Sequence, residues 1–355
     1  MSPEDFFAEV FGPPTTEWVP SPQGPSPALL DLAQSRFTST DKGSIGRRHL
    51  EKLDALRYND PAKALQRIEH DLEFLEPQLI PYALGIYAST CRLLVKLDEA
   101  KWALAEALEM ATASNDDLVL GDLLLRASSL WNEDGKNERA IEVAEKALVV
   151  FARGDSLPGV GRSLVKQGIY LVLIEEYQMA NKAFTTGRSY ITPTDSRYQF
   201  SALHGAGFIQ KQLGYIDEAL ALFEEATPFA KNSEQKGKLS WSQALIHADR
   251  RQWEKMVENF HHSIGALLEC SPVDTALVVC DFVEVLLGSQ RPSEAWALAD
   301  TMRRLVGPLE DRSEVMAAAA LDLYHSLTNA REQLPIALVK KVAEKIRRAK
   351  NTHRN

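Results

Sequence analysis

The sequence predicts an all-α chain, a right-handed α-solenoid of about eight antiparallel helix hairpins preceded by an extended Pro-rich arm. Three observations predict it. Apolar residues recur with a 3.6-residue period almost continuously from Gly46 onward, and no segment alternates apolar and polar residues for long enough to form a strand. A small residue returns in similar context at Ala100, Ala140, Ala180, Ala219 and Ala295, with Met256 filling the remaining slot, at intervals of 37 to 40 residues. Turn chemistry falls between the periodic stretches, at Asn115-Asp116-Asp117, Gly154 to Gly159, Thr192 to Asp195, Ser271-Pro272 and Gly307-Pro308.

The arm comes first. Seven of the 17 prolines fall in residues 1 to 27, where each removes an amide donor and blocks a helix interior. Residues 1–45 are therefore expected to lie outside the repeats. Phe6, Phe7, Val10 and Phe11 fall on helical spacing, and Trp18 and Val19 stand between prolines. Either these side chains anchor the arm in a groove or the arm drapes loosely over the surface. Residues 1–40 carry a net charge of −4, from Glu4, Asp5, Glu9, Glu17 and Asp31 against Arg36.

The repeats are expected over 46–350, with hairpins at about 46–76, 79–114, 117–153, 157–190, 197–231, 234–270, 272–306 and 310–350. In the first, Asp60 is placed to cap a helix that Pro61 begins. Twelve positions before each recurring small residue stands Ala88, Ser128, Gly168, Gly207, Ala244 or Val283. Seven after it stands Ala107, Ala147, Gly187, Ala226, Ser263 or Met302. Fifteen of these 18 slots are Ala, Gly or Ser, where composition alone gives about four. Two helices approach closely only where side chains are small, so these slots mark a packing seam. The last hairpin is expected to break near Gln333 to Pro335. A basic run from Lys340, with seven Lys or Arg against one acid, suits a final helix end and leads into a basic tail at 351–355.

This pattern resembles the tetratricopeptide repeat (TPR) family, whose hairpins carry small residues at the eighth, twentieth and twenty-seventh places and an aromatic at the twenty-fourth. Phe184, Phe223 and Phe260 fill that last place, and His204 to Ala230 is the best single match. The period is longer than the family's 34 residues. Shorter runs, Leu56 to Ala62, Gly121 to Ala127, Gly154 to Gly168 and Asp274 to Val278, look like segments of bacterial TPR proteins encoded near alternative sigma factors. That second resemblance implies a bacterial adaptor or regulator. The zinc-binding segment found in some of those proteins does not carry over, because no cysteine precedes Cys91.

Composition narrows the functional classes. With 40 Lys plus Arg against 49 Asp plus Glu, the 355-residue chain has a net charge of −9, so neither nucleic acid nor an anionic membrane is the expected partner. Three scattered cysteines make no disulfide framework or zinc knuckle. MSPEDFF opens with acids where a secretory signal needs bases, and Asp281 and Glu284 interrupt the most apolar stretch, so a cytoplasmic location is expected. No cofactor is expected, since phosphate-cradling glycine loops are absent.

In the TPR family, side chains at four places of each first helix line a concave groove. The resemblance implies that Tyr82, Arg92, Asn132, Arg162, His204, Phe208, Lys211, Lys238 and Trp241 line it here. Cations beside aromatics suit an acidic, hydrophobically anchored protein or peptide. The acidic arm, docking in cis, is one such ligand. These side chains could equally be packing residues and solvated charges. The alternative function is a metal-dependent hydrolase built on His247, Asp249, His261 and His262.

Overall fold

The computed structural model of the protein describes residues 27–58, 60–94, 96–268, 270–306, 339–340 and 343–344. Among them lie fifteen α-helices, and the only β pairing is an isolated bridge between Ile45 and Leu75. The helices are α1 (Pro27–Phe37), α2 (Arg47–Leu56), α3 (Pro61–Asp71), α4 (Ile80–Leu93), α5 (Leu97–Ser114), α6 (Asp117–Glu133), α7 (Asn137–Arg153), α8 (Leu157–Leu173) and α9 (Tyr177–Tyr190). They continue as α10 (Ser196–Gln212), α11 (Ile216–Ala226), α12 (Ser233–Asp249), α13 (Trp253–Leu267), α14 (Pro272–Gly288) and α15 (Pro292–Val306). Contacts divide the chain into two compact units, residues 1–193 and 194–355. From α2 onward the helices pair as hairpins, four in the first unit and three in the second, each with a first helix (α2, α4, α6, α8; α10, α12, α14) and a second helix.

The seam holds the hairpins together. The 17 described members of the 18 slots, including Val283 and Met256, are all buried. The fit is tight enough to exclude a methyl group. A Cβ added at Gly168 would come 2.7 Å from Phe184, and one at Gly207 would come 2.6 Å from Phe223. The eighth-place glycine and the twenty-fourth-place phenylalanine of one hairpin thus form a knob and its hole. Phe151 plays a similar part between hairpins, because added carbons on both Gly121 of α6 and Gly159 of α8 would collide with its ring.

The turn inside each hairpin is equally regular. Gly135, Glu175, Gly214, Arg251 and Gln290 adopt positive φ of 56–84°, each five residues before the recurring small residue. One residue later the amide donates to the carbonyl five residues back, the third from the end of the first helix: Lys136 to Trp131, Glu176 to Leu171, Tyr215 to Gln210, Gln252 to His247 and Arg291 to Leu286, at 2.8–3.0 Å. This is the helix stop in which a left-handed residue lets the next amide satisfy an orphan carbonyl. Capping of first helices is likewise local. Asp116 accepts from Leu118 and Val119, Ser156 accepts from Gly159, and Asn232 with Gln235 forms a reciprocal capping box. Asp60 caps α3 through Lys63, with Pro61 at its first turn.

One segment differs from the expected arm. Residues 27–45 include α1, whose Ala33 is fully buried while Leu29, Leu32 and Phe37 pack against the first unit's core. Arg36 pins the following loop by donating to the carbonyls of Leu75 (2.8 Å) and Asp41 (3.2 Å). The prolines end at Pro27, the first residue of α1, where a missing amide costs nothing. Phe6, Phe7, Val10, Phe11, Trp18 and Val19 lie outside the described residues. So does most of the eighth hairpin, of which Val339 and Ala343 are buried against α14 and Lys340 pairs with Glu284 at 3.2 Å.

Substituting Gly207→Leu should overpack the Phe223 hole and cost about 1–3 kcal/mol. Glu175→Gly should act oppositely, relieving left-handed strain of about 1 kcal/mol at an exposed turn. Thermal unfolding followed by circular dichroism should show melting temperatures moving in opposite directions. An unchanged value for both would contradict this packing.

Candidate partner-binding faces

First helices present the side chains expected to meet a ligand. In the first unit these come from α4, α6 and α8. Every residue of α4 from Ile80 to Cys91 is buried, so this helix presents no open surface there. Tyr82 is 9% exposed and lies beneath two guanidinium groups, with Arg47 of α2 at 5.1 Å and Arg126 of α6 at 5.7 Å from its ring centre. Burial, then the neighbouring Asp122 and Asp54, pushes its phenol up to about 12. Arg126 is the centre of this cluster. It donates to Asp122 (2.7 Å), Ser89 (2.8 Å) and Asp54 (3.2 Å), the last on α2, two hairpins away. Burial opposes its charge, yet Asp122 and Asp54 outweigh that and bind its proton more tightly than usual.

Farther along, Arg92 pairs with Glu133 at 2.9 Å. Asn132 is half-buried and its Oδ1 is buried without a hydrogen-bond partner. Arg162 is half-buried on α8. Lys166, one turn on, donates to Ser129 at 2.8 Å and sits 5.8 Å from the Tyr170 ring centre. Helix α8 contains these two cations and no acid, and Arg162, Lys166, Ile169 and Leu173 follow one another at helical spacing. Ile169 is half-buried and Leu173 is 53% exposed, which gives this stripe a basic half and an apolar half.

In the second unit, His204 of α10 meets Ser242 of α12 through Nε2 at 2.9 Å and packs between Phe200 and Phe223, with ring centres 5.2 and 5.4 Å away. Burial, then the charge of Lys238, pushes its imidazole down to about 4, although a hydrogen bond to the Lys238 backbone acts the other way. Lys238 lies between Glu234 (2.5 Å) and Asp274 (3.5 Å), whose charges outweigh burial and raise its affinity for a proton. Trp241 donates through Nε1 to Asp281 of α14 at 3.0 Å. Lys211 stands 3.8 Å from Asp249, and Phe208, on the same helix as Lys211, is half-buried.

These pairings follow a rule that the groove assignment did not contain. Counting the seam residue of each first helix as place eight, place six carries Arg126, Lys166, Ser242 and Asp281. Each reaches place nine or five of the preceding first helix, at Ser89, Ser129, His204 and Trp241 respectively. Place twelve reaches place thirteen of the next, in Arg92–Glu133 and Lys211–Asp249. Residues expected to wait for a ligand therefore also tie successive hairpins together. The sequence signal is a donor and an acceptor separated by about one repeat period, 37 to 41 residues.

The His247 grouping is not brought to a common centre. His247 is buried and bonds Gln252 at 2.6 Å, Asp249 stands by Lys211, and His261 meets the edge of Phe282. Among the described residues no three His, Cys, Asp or Glu are placed to share a metal ion. No described helix is long and apolar enough to cross a membrane.

Arg126→Met should cost about 2 kcal/mol, since it removes a guanidinium, itself only 10% exposed, that ties Asp122, Ser89 and Asp54 together, whereas Lys211→Met should cost less than about 1 kcal/mol. Denaturant unfolding of the two variants separates these values, and equal losses would contradict the buried clasp. His204 also ties stability to pH. An unfolded histidine takes up a proton near pH 6.5 while folded His204 resists to about 4, so stability should fall by up to about 3 kcal/mol as pH drops through that window. His204→Gln should flatten the profile, and an unaltered slope would refute the assignment.

No family model and no curated protein matches the chain. Among solved structures, a Rap protein complexed with competence and sporulation factor is 14% identical and aligns over 89% of this chain and 99% of its own, with a TM-score of 0.48. The P58(IPK) TPR domain is 11% identical over 84% of this chain and 98% of its own, with a TM-score of 0.22.

Proposed function

We propose that this chain is a non-enzymatic protein-interaction module, an adaptor or regulator, whose first-helix faces take an acidic partner segment anchored by aromatic side chains. The observation that carries this reading is the stripe on α8. In a chain of net charge −9, this helix holds Arg162 and Lys166, no acid, and Ile169 and Leu173 on the same line. Charge over such a stripe steers and orients an acidic segment, while apolar contact supplies most of the affinity. His204, Phe208, Lys211, Lys238 and Trp241 offer a comparable mixture in the second unit. Their ion pairs make that face selective, because an incoming carboxylate has to replace Asp249, Glu234 or Asp274 rather than meet a bare cation. The sequence resemblance supports a bacterial, regulatory setting, and the acidic N-terminal residues with the charge-interrupted apolar stretch support a cytoplasmic one. Nucleic acid fits an acidic chain poorly.

A short labelled peptide of acidic and aromatic residues should bind with a Kd tighter than about 100 μM. A control in which lysine replaces every acid should bind at least tenfold more weakly. Arg162→Glu should weaken the acidic peptide about tenfold, equivalent to about 1.4 kcal/mol, without loss of helix content. Equal binding of both peptides, or affinity unmoved by charge reversal at Arg162, Lys211 and Lys238 in turn, would overturn the reading.

A further inference from the structure

Residues 1–26 contain Glu4, Asp5, Glu9 and Glu17 and not one Lys or Arg. Phe6 and Phe7 lie among the first three acids, and Phe11 follows two residues after the third. The pattern Glu4-Asp5-Phe6-Phe7-Ala8-Glu9-Val10-Phe11 thus places carboxylates beside an apolar cluster, with Phe7, Val10 and Phe11 at helical spacing. The α8 stripe is its complement, with cations at Arg162 and Lys166 followed by Ile169 and Leu173.

We infer that residues 4–11 dock in cis on the α8 stripe, so that the chain carries its own competitor for the partner. This rests on the reading that the stripe takes acidic, aromatic peptides, and adds that the site is regulated from within. A second opening on the first unit does not suit the same segment. That cleft between α1 and α5, of about 440 Å³, is lined by Asp31, Glu106 and Glu109, which repel it. The buried α4 surface is closed by the Arg126–Asp54 bridge.

Reach permits the docking. The described chain begins at Pro27, the start of α1. The 16 residues from Phe11 to Pro27 span up to about 55 Å when extended, whereas a compact body of this size is roughly 40 Å across. A tether of this kind holds its ligand at an effective concentration on the order of 1 mM. A segment whose Kd in trans is on the order of 100 μM would then weaken an outside partner about tenfold.

The test uses the full-length chain and a variant carrying Phe6→Ser, Phe7→Ser and Phe11→Ser together. A labelled synthetic peptide of residues 1–18 is titrated into each and followed by fluorescence anisotropy, beside the unrelated acidic, aromatic peptide described above. The variant should bind the 1–18 peptide, the parent chain should bind it about tenfold more weakly, and Leu173→Asp in the variant should abolish binding. Equal affinity of parent and variant overturns the docking. So does a variant that binds the unrelated peptide but not the 1–18 peptide, which leaves the reading of the face intact. Failure of the variant to bind either peptide overturns both. A deficit in the parent that grows with protein concentration means docking between copies, and overturns the cis assignment.

Discussion

Everything in this fold depends on how closely two helices of one hairpin can approach. The approach is set where a side chain is missing: at Gly168 and Gly207 there is no room for even a methyl group beside Phe184 and Phe223. Once the eighth place is small and the twenty-fourth is aromatic, the hairpin has one way to close, and the next hairpin meets the same contour. The left-handed turn residue five positions before Ala140, Ala180, Ala219, Met256 and Ala295 belongs to the same constraint, since it aims the second helix back along the first. That a glutamate, an arginine and a glutamine accept this strain, where glycine would not feel it, shows how far packing dictates local conformation.

Close stacking then determines what the polar side chains do. First helices of neighbouring hairpins lie near enough for Arg126 to reach Ser89, and even Asp54 two hairpins away. A buried pair of this kind adds little net stability over an apolar contact, but removing one partner is costly, so it fixes register. The same links limit where a ligand can go. Around α4 the clasp shuts the face entirely, and on α8 the place-six cation is held to Ser129 beside exposed apolar residues. If these faces take an acidic segment, as proposed, specificity rests on exchange of one carboxylate or hydroxyl for another, with apolar anchors supplying the gain.

Much of the architecture was legible because packing repeats. Ala100, Ala140 and Ala180 are the same contact made three times, and a period survives changes of individual residues. Helix α1 was not legible. Its Leu29, Leu32, Ala33 and Phe37 carry the right spacing, but seven prolines just upstream dominate the composition and mask a helix that begins on the last of them. The links across the face were not legible. Trp241 and His204 lie on first helices, where the repeat register puts them, but nothing near them in the sequence points to Asp281 and Ser242 as their partners. A hydrogen bond between hairpins joins residues with no local pattern in common, so it becomes visible only when donors and acceptors are compared one period apart. Arg126 escaped for that reason.

The central claim is that a basic and apolar stripe recognises an acidic segment through charge and apolar burial together. Calorimetric titration of an acidic, aromatic peptide, repeated over salt concentration and temperature, measures both contributions at once. The account predicts affinity that falls by about tenfold as ionic strength rises from 0.05 to 0.5 M, with a negative heat-capacity change from buried apolar surface. Binding indifferent to salt, or with a heat-capacity change near zero, would contradict it.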